Sequence, residues 1–284
     1  MAYRLLALDI DGTLLARDGS LTPATASAVA RAAAAGIRPV LCTGRRYRTA
    51  KPIAEALGLR GPIVCNSGAL TKNLDDGATL RRADLDAPML AEVLSIFDAL
   101  GEPAVCFTDR PDAEADFVVA AHPSGRPLLD EYVARNARHA EVDPGWARSL
   151  AAEPRYHACA VGEWPSMLAL EVALHAALPG RIQTFVQKSP AYAGTMCEVL
   201  AAGASKWSAV LSLAAGWGID PSEIVAVGDD MNDLPMIAGA GLGVAMGHAP
   251  EAVLRAADHV AGTHDEQGLC AFIEEYLLKE AGRV

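Results

Sequence analysis

The chain of 284 residues reads as an α/β protein, doubly wound around a mostly parallel sheet, with an α+β domain inserted in mid-sequence. Three observations carry that reading. Apolar runs of strand length alternate with Ala-rich helical stretches at both ends of the chain. Those runs are nearly continuous, as strands buried on both faces require, and they end in Gly-containing turns. Residues 85–196 have a different texture, with Pro, Asp, Arg and His mixed among short apolar runs.

The first strand is predicted over Leu5–Ile10, inside "LLALDIDGTLLA", where two carboxylates, Asp9 and Asp11, interrupt the apolar run before the "DGT" turn. Thr22 is a candidate N-cap for a helix over Pro23–Ala35, which Gly36 stops. "IRPVLCTG" makes a second strand ending at Thr43 and Gly44. "RTAKPIAEALGL" makes a second helix closed by Gly58, and "PIVCNSGAL" a third strand with its own turn. This order predicts right-handed parallel units with helices on both faces of the sheet.

The pattern returns near the end, with "SKWSAVLSLAAGWG" as helix, "EIVAVGDD" as strand, "NDLPMIAGA" as a short helix, "GLGVAMG" as strand and "PEAVLRAA" as helix. Residues 1–84 and 197–284 are therefore expected to form one Rossmann-like core, and 85–196 an inserted domain carrying strands such as "AVCFT", "HACAVG" and "IQTFVQ".

Composition narrows the function. Lys plus Arg is 24 against 35 for Asp plus Glu, a formal net charge of −11, which opposes a broad polyanion-binding surface. Nucleic acid and anionic membrane are thus not expected as partners, and no segment approaches 18 uncharged apolar residues. The six cysteines are scattered, with no CxxC pair, and read as reduced thiols of a cytoplasmic protein. A monomer or homodimer is expected.

Acids at the carboxyl end of a parallel strand lie where open α/β sheets bind ligands. Two carboxylates crowded there repel each other, and a site that keeps both ionised usually holds a cation. Mg²⁺ suits a site of hard oxygen ligands that leaves room for water and phosphate. Asp229, in the late run "VAVGDDMNDLPM", can converge with Asp9 if both strands share one sheet. The same edge would receive Thr43 and Gly44 as anion donors, while Lys206 at a helix start could add a fixed positive charge. Together these residue types make a phosphoryl site. Arg45, Arg46, Arg48 and Lys51 either steer an anionic substrate or form a solvated helix face, with Arg45 the best substrate candidate. Asp230 is assigned to helix capping, His122, His139, His157 and His175 to surface or packing, and Trp146, Trp164 and Trp217 to the core.

"DIDGTLL" (Asp9–Leu15), "CTGR" (Cys42–Arg45), "SK" (Ser205 and Lys206) and "GDDMNDLPMI" (Gly228–Ile237) occur in the order of the four motifs of the haloacid dehalogenase-like hydrolase superfamily. With "CNSGA" at 65–69 and the long insertion, the chain resembles the Cof-type branch, whose large α/β (type IIB) cap follows the third strand. The resemblance implies that Asp9 attacks phosphorus and forms an aspartyl-phosphate, while Asp11 protonates the leaving oxygen and then activates water. It implies Mg²⁺ bound by the carboxylates of Asp9 and Asp229 and the main-chain carbonyl of Asp11, with Asp233 supporting the metal shell or Lys206. Thr43, Gly44, Lys206 and Asn232 would contact the phosphoryl group, and Asn66 is a further substrate candidate. The expected activity is hydrolysis of small soluble phosphomonoesters such as sugar phosphates. A phosphosugar mutase and a non-catalytic phospholigand-binding protein are the alternatives. Two departures from the family stand out: Trp207 follows the motif lysine, where Gly is common, and Ser67 separates Asn66 from Gly68.

Overall fold

The structure, a computed structural model, describes residues 3–110, 113–145, 155–188 and 193–281. It divides into two compact units, one running to Arg81 and resuming at Ser205, the other spanning Arg82–Ala204. In chain order the first unit supplies β1 (Leu5–Leu8), α1 (Pro23–Ala34), β2 (Arg38–Leu41), α2 (Tyr47–Ala56), β3 (Pro62–Cys65), β4 (Leu70–Asn73) and β5 (Thr79–Arg82).

The second unit follows with α3 (Ala87–Ala99), β6 (Val105–Phe107), β7 (Phe117–Val119), α4 (Pro127–Arg135), β8 (Ala140–Val142), β9 (His157–Gly162), α5 (Trp164–Ala177), β10 (Ile182–Lys188) and β11 (Thr195–Ala201). The first unit then resumes with α6 (Lys206–Gly216), β12 (Ile224–Gly228), α7 (Leu234–Gly239), β13 (Leu242–Met246), α8 (Glu251–Ala256) and β14 (His259–Ala261). A closing helix begins as α9 (Gly268–Ala271), continues through a π-helical stretch and ends as α10 (Leu278–Ala281).

The first unit is built on a five-stranded sheet in the order β14-β13-β12-β1-β2, and each pairing in it is parallel. Beyond β2, a parallel bridge from Cys42 to Val64 attaches β3. The chain winds outward from β1 through β2 and β3 on one side, and from β12 through β13 and β14 on the other. The order therefore reverses between β1 and β12, and a crevice opens at the carboxyl ends of such strands. Leu8 lies opposite both Val227 and Leu41, so β1, β12 and β2 end level and the residues after them share one edge.

Local chemistry explains these elements. All four residues of β1 are buried between two neighbouring strands, so the run tolerates only apolar side chains, each Leu contributing about 1.5–3 kcal/mol by burial. Leu5 and Ala7 face a layer that includes Val40, Val210 of α6 and Met236 of α7. The other face is covered by α1, which packs on β2 and on the closing helix. Helix α1 starts where the Thr22 hydroxyl accepts from the Thr25 N–H at 3.1 Å, with Pro23 in the first turn.

An antiparallel extension, β3-β4-β5, goes beyond the sequence reading. Its turn is signalled by "DDG": Gly77 has a φ of 72°, and the Ala78 N–H donates to Asp76 at 2.9 Å.

The second unit is a six-stranded sheet in the order β10-β11-β9-β6-β7-β8, with α3 and α5 packed over a core that includes Phe97, Leu170, Leu174, Cys197 and Val199. Strand β11 pairs along its length with β10 and over five residues with β9, so the division falls after Ala204, and a boundary at 196/197 would cut that strand. His157 is fully buried and stacked on Phe107 at 4.4 Å, and burial pushes its pKa down to about 3, as befits a packing residue. Trp164 departs from its expected place in the core: it is 40% exposed at the first position of α5, whose core contacts come from Met167, Leu170 and Leu174. Trp217 lies half-buried at the core edge under the Arg38 guanidinium, 4.1 Å from the ring centre, and Trp146 lies outside the described residues.

Candidate active site

Asp9 directly follows β1 and is held level with the end of β12 by its N–H, which donates to the Val227 carbonyl at 3.0 Å. Its carboxylate is only 4% exposed. The ammonium of Lys206, the first residue of α6, donates to Asp9 Oδ1 and to Asp233 Oδ1, each at 2.6 Å. Burial works against the lysine's charge, yet Asp233 and Asp9 hold its pKa above the ordinary value. Burial, reinforced by Asp233, Asp229 and Asp11, pushes Asp9 well above the usual carboxylate range despite the lysine.

Asp229 follows β12 at the same edge. Its Oδ1 accepts from the Thr13 hydroxyl at 2.9 Å. Gly12 is required beside it, since its φ is +80° and a Cβ there would lie 2.2 Å from Asp229 Oδ2. Asp233 is fully buried, and its second oxygen accepts the N–H groups of Asp229 and Asp230 at 3.0 and 3.1 Å, locking the turn that presents Asp229. Burial also raises its pKa, against the pull of Lys206. The Asp230 carboxylate accepts the Met231 N–H at 2.7 Å inside the turn and does not cap the helix as expected, because α7 starts only at Leu234 with Asp233 in the N-cap position.

The loop after β2 brings Thr43 and Gly44 to this edge. Thr43 is buried, and its hydroxyl accepts the Arg45 N–H at 3.0 Å. Arg45 then turns its guanidinium onto Asp11 in a two-pronged pair at 2.7 and 2.6 Å, which raises the arginine's pKa. The turn after β3 is tied to that loop by Asn66 N–H to the Arg45 carbonyl and Ser67 N–H to the Thr43 carbonyl, both 3.0 Å. Asn66, Ser67 and Gly68 all have positive φ, and a Cβ on Gly68 would lie 2.0 Å from the Ser205 carbonyl oxygen. This close approach seats the turn against the start of α6. Buried Asn232 donates to the Ser67 hydroxyl at 3.3 Å, closing the ring of loops.

The residues suit a divalent cation. One oxygen each from Asp9, Asp229 and Asp233 can be chosen so that all lie within 4.8 Å of one another, a span matching six-coordinate Mg²⁺, whose bonds of about 2.1 Å put opposite ligands about 4.2 Å apart. Charge agrees: Asp9, Asp11, Asp229 and Asp233 face Lys206 and Arg45, which leaves two negative charges when all are ionised.

Several features lay beyond the sequence reading. The pairing of Arg45 with Asp11 and the bond from Asn232 to Ser67 depend on loops far apart in the chain. His248, after β13, places Nε2 3.6 Å from Asp229 Oδ2, and the run "GLGVAMGH" ending at the sheet edge is the signal for it. Trp207 packs on Gly239 at the end of α7, where a Cβ would lie 2.4 Å from the indole nitrogen. This departure from the family thus fills core space behind Lys206.

Comparison with known proteins agrees with this geometry. The pyridoxal phosphate phosphatase YbhA of Escherichia coli (strain K12) is 29% identical over 292 residues, covering 98% of this chain and 100% of that protein. The HMP-PP phosphatase of Serratia proteamaculans (strain 568) is 29% identical, covering 97% of this chain and 96% of its own length. A solved haloacid dehalogenase-like hydrolase from Bacteroides thetaiotaomicron superposes with a TM-score of 0.77 at 26% identity, over 96% of this chain and 99% of that one. The family model for haloacid dehalogenase-like hydrolases matches residues 6–273, and the chain belongs to that family.

Proposed function

We propose that this protein is a Mg²⁺-dependent phosphatase acting on small soluble phosphomonoesters, with Asp9 as nucleophile and Asp11 as general acid and base. The observation that carries this reading is the convergence of buried Asp9 with Lys206, Asp229 and Asp233 at the sheet's switch point. Mg²⁺ would be held by Asp9, Asp229 and Asp233 with the Asp11 carbonyl, and when bound it supplies positive charge for the phosphoryl oxygens.

Asp9 attacks phosphorus through the carboxylate, the ester P–O bond breaks, and Asp11 delivers a proton to the departing oxygen. Water then attacks the same phosphorus, Asp11 takes its proton, and inorganic phosphate leaves with Asp9 regenerated. Lys206 stays charged throughout, orients the Asp9 carboxylate and opposes the protonation that burial favours there. Thr43, Gly44 and Asn232 hold the phosphoryl oxygens, and Arg45 orients the Asp11 carboxylate until the leaving group arrives. The names of the relatives support hydrolysis over mutase chemistry, and a phosphorylated coenzyme such as pyridoxal phosphate joins sugar phosphates as a candidate substrate. Among the described residues no helix is long and apolar enough to cross a membrane, and all six cysteines are free thiols, which supports a cytoplasmic setting.

The test is phosphate release from a panel of phosphomonoesters with Mg²⁺ or EDTA. Turnover with Mg²⁺ that Asp9→Asn abolishes is expected. No turnover on any ester, or an Asp9→Asn variant as active as wild type, would overturn the reading.

A further inference from the structure

Ser67 holds a conformation that its chemistry does not favour. Its φ of 53° and ψ of 28° lie in the left-handed region, between Asn66 at a φ of 49° and Gly68 at 95°. Asparagine and glycine enter that region readily, whereas serine has neither the amide nor the missing Cβ that eases it. Strain of this kind persists only where the surroundings enforce it, and it clusters at functional sites. Three contacts enforce it here. The Ser67 N–H donates to the Thr43 carbonyl at 3.0 Å, and the Ser67 hydroxyl accepts from Asn232 Nδ2 at 3.3 Å. The next residue is clamped, because the Arg81 guanidinium donates to the Gly68 carbonyl at 2.9 Å and to the Ser208 hydroxyl at 3.4 Å. Ser67 is fully buried, and Thr43 and Asn232 are 1% and 4% exposed, so solvent does not compete for the bonds among them.

Thr43 follows β2 and Asn232 follows β12, and β1 with its Asp9 lies between those strands. Ser67 therefore spans the crevice, with its main chain on one phosphoryl-binding arm and its side chain on the other. We propose that Ser67 is a positioning residue, kept in a strained backbone because its hydroxyl sets the Asn232 amide for the phosphoryl group. The bond fixes the amide's plane, and of the two Nδ2 hydrogens it leaves one for a phosphoryl oxygen. Glycine would suit the backbone better and would leave that amide unanchored. The inference deepens the phosphatase reading and rests on the proposed contact of Asn232 with the phosphoryl group.

The experiment measures inorganic phosphate binding to Mg²⁺-loaded full-length protein by titration calorimetry, and melting temperature by scanning calorimetry. Wild type is compared with Ser67→Ala, Ser67→Gly, Asn232→Ala and the double variant Ser67→Ala/Asn232→Ala. Both Ser67 variants lose the hydroxyl, but only glycine relieves the backbone. Phosphate affinity should fall by about three- to tenfold in both, the worth of one hydrogen bond, while Ser67→Gly melts roughly 1–4 °C above Ser67→Ala. A residue that served stability alone would instead leave the glycine variant binding as wild type does. In the Asn232→Ala background, Ser67→Ala should weaken phosphate binding no further, since the two substitutions remove one shared bond. The inference is overturned by absent phosphate binding in wild type, by wild-type affinity in either folded Ser67 variant, by a Ser67→Ala penalty undiminished without Asn232, or by a glycine variant that melts no higher than the alanine one. Each of those results leaves the phosphatase reading intact, since turnover and the Asp9→Asn variant decide it. Coupling between Ser67 and Asn232 in a protein that turns over no ester overturns the phosphatase reading alone.

Discussion

Replacing Lys206 with Met probes the electrostatics of the site at nearly constant side-chain volume. Lys206 is 1% exposed and bonds two carboxylates that are themselves almost wholly buried. Removing it leaves Asp9 and Asp233 facing each other without a cation, and breaking a buried ion pair in this way costs about 3–5 kcal/mol. In urea, with a slope of about 2–3 kcal/mol/M, the unfolding midpoint of the first unit should fall by roughly 1–2 M. Part of the loss is relieved when one acid takes up a proton. Burial already holds both acids above the pKa of an unfolded Asp, so the folded state binds that proton more tightly. Stability contributed by such a group is present at low pH and falls as pH rises from about 4 through the folded-state value. The variant should therefore lose most at pH 8 and least near pH 5. The assay is urea denaturation in EDTA at both pH values, followed by Trp fluorescence, since Trp207 and Trp217 both pack against the first unit's core. Coincident midpoints for variant and wild type at pH 8, or a larger loss at pH 5, would refute the reasoning.

Mg²⁺ added to EDTA-treated protein should raise the melting temperature more at pH 8 than at pH 5, because binding competes with protons on the raised Asp9 and Asp233; a scan showing the reverse trend contradicts this. Gly12→Ala drives a Cβ against Asp229 and imposes a left-handed conformation worth about 1–2 kcal/mol, so half-maximal activation should need more Mg²⁺, which a metal titration of turnover measures. Asp11→Asn should slow phosphorylation of the enzyme by alkyl phosphates, read in a single turnover, by about 10²–10⁴-fold and by p-nitrophenyl phosphate far less, because the aryl leaving group needs no proton; equal losses in that first step on both substrates count against general-acid catalysis. Gly239→Ala overpacks Trp207 and should cost about 1–3 kcal/mol in chemical denaturation, with wild-type stability ruling out the contact.

The sequence made the core legible where one physical cause acted alone. A strand buried on both faces must be apolar throughout, so "LLAL" marked itself, and Thr22 and Ser205 announced helix starts through side chains that do cap them. The positions of Asp9, Thr43 and Asp229 followed because parallel strands that end level share one edge. Contacts between loops were less accessible. Nothing local to "CTGR" says that Arg45 folds back on Asp11, and nothing in "SKW" says that Trp207 finds Gly239. The β4-β5 hairpin had a readable turn in Asp76-Gly77, but its strands are short and mostly polar, "LTKN" and "TLRR", without the apolar alternation that identifies a strand, although β4 is buried. In the second unit, Trp164 begins a helix that is apolar on both faces, where residue type no longer reports burial.

The most direct test of the account is chemical trapping of the phosphorylated enzyme. Protein mixed with Mg²⁺ and a turned-over phosphomonoester is quenched with borohydride, which reduces an acyl phosphate to an alcohol, and is then mapped by peptide mass spectrometry. The account predicts homoserine at position 9, dependent on both Mg²⁺ and substrate. Unmodified Asp9 under conditions of steady turnover, or phosphate carried on any other side chain, would contradict it.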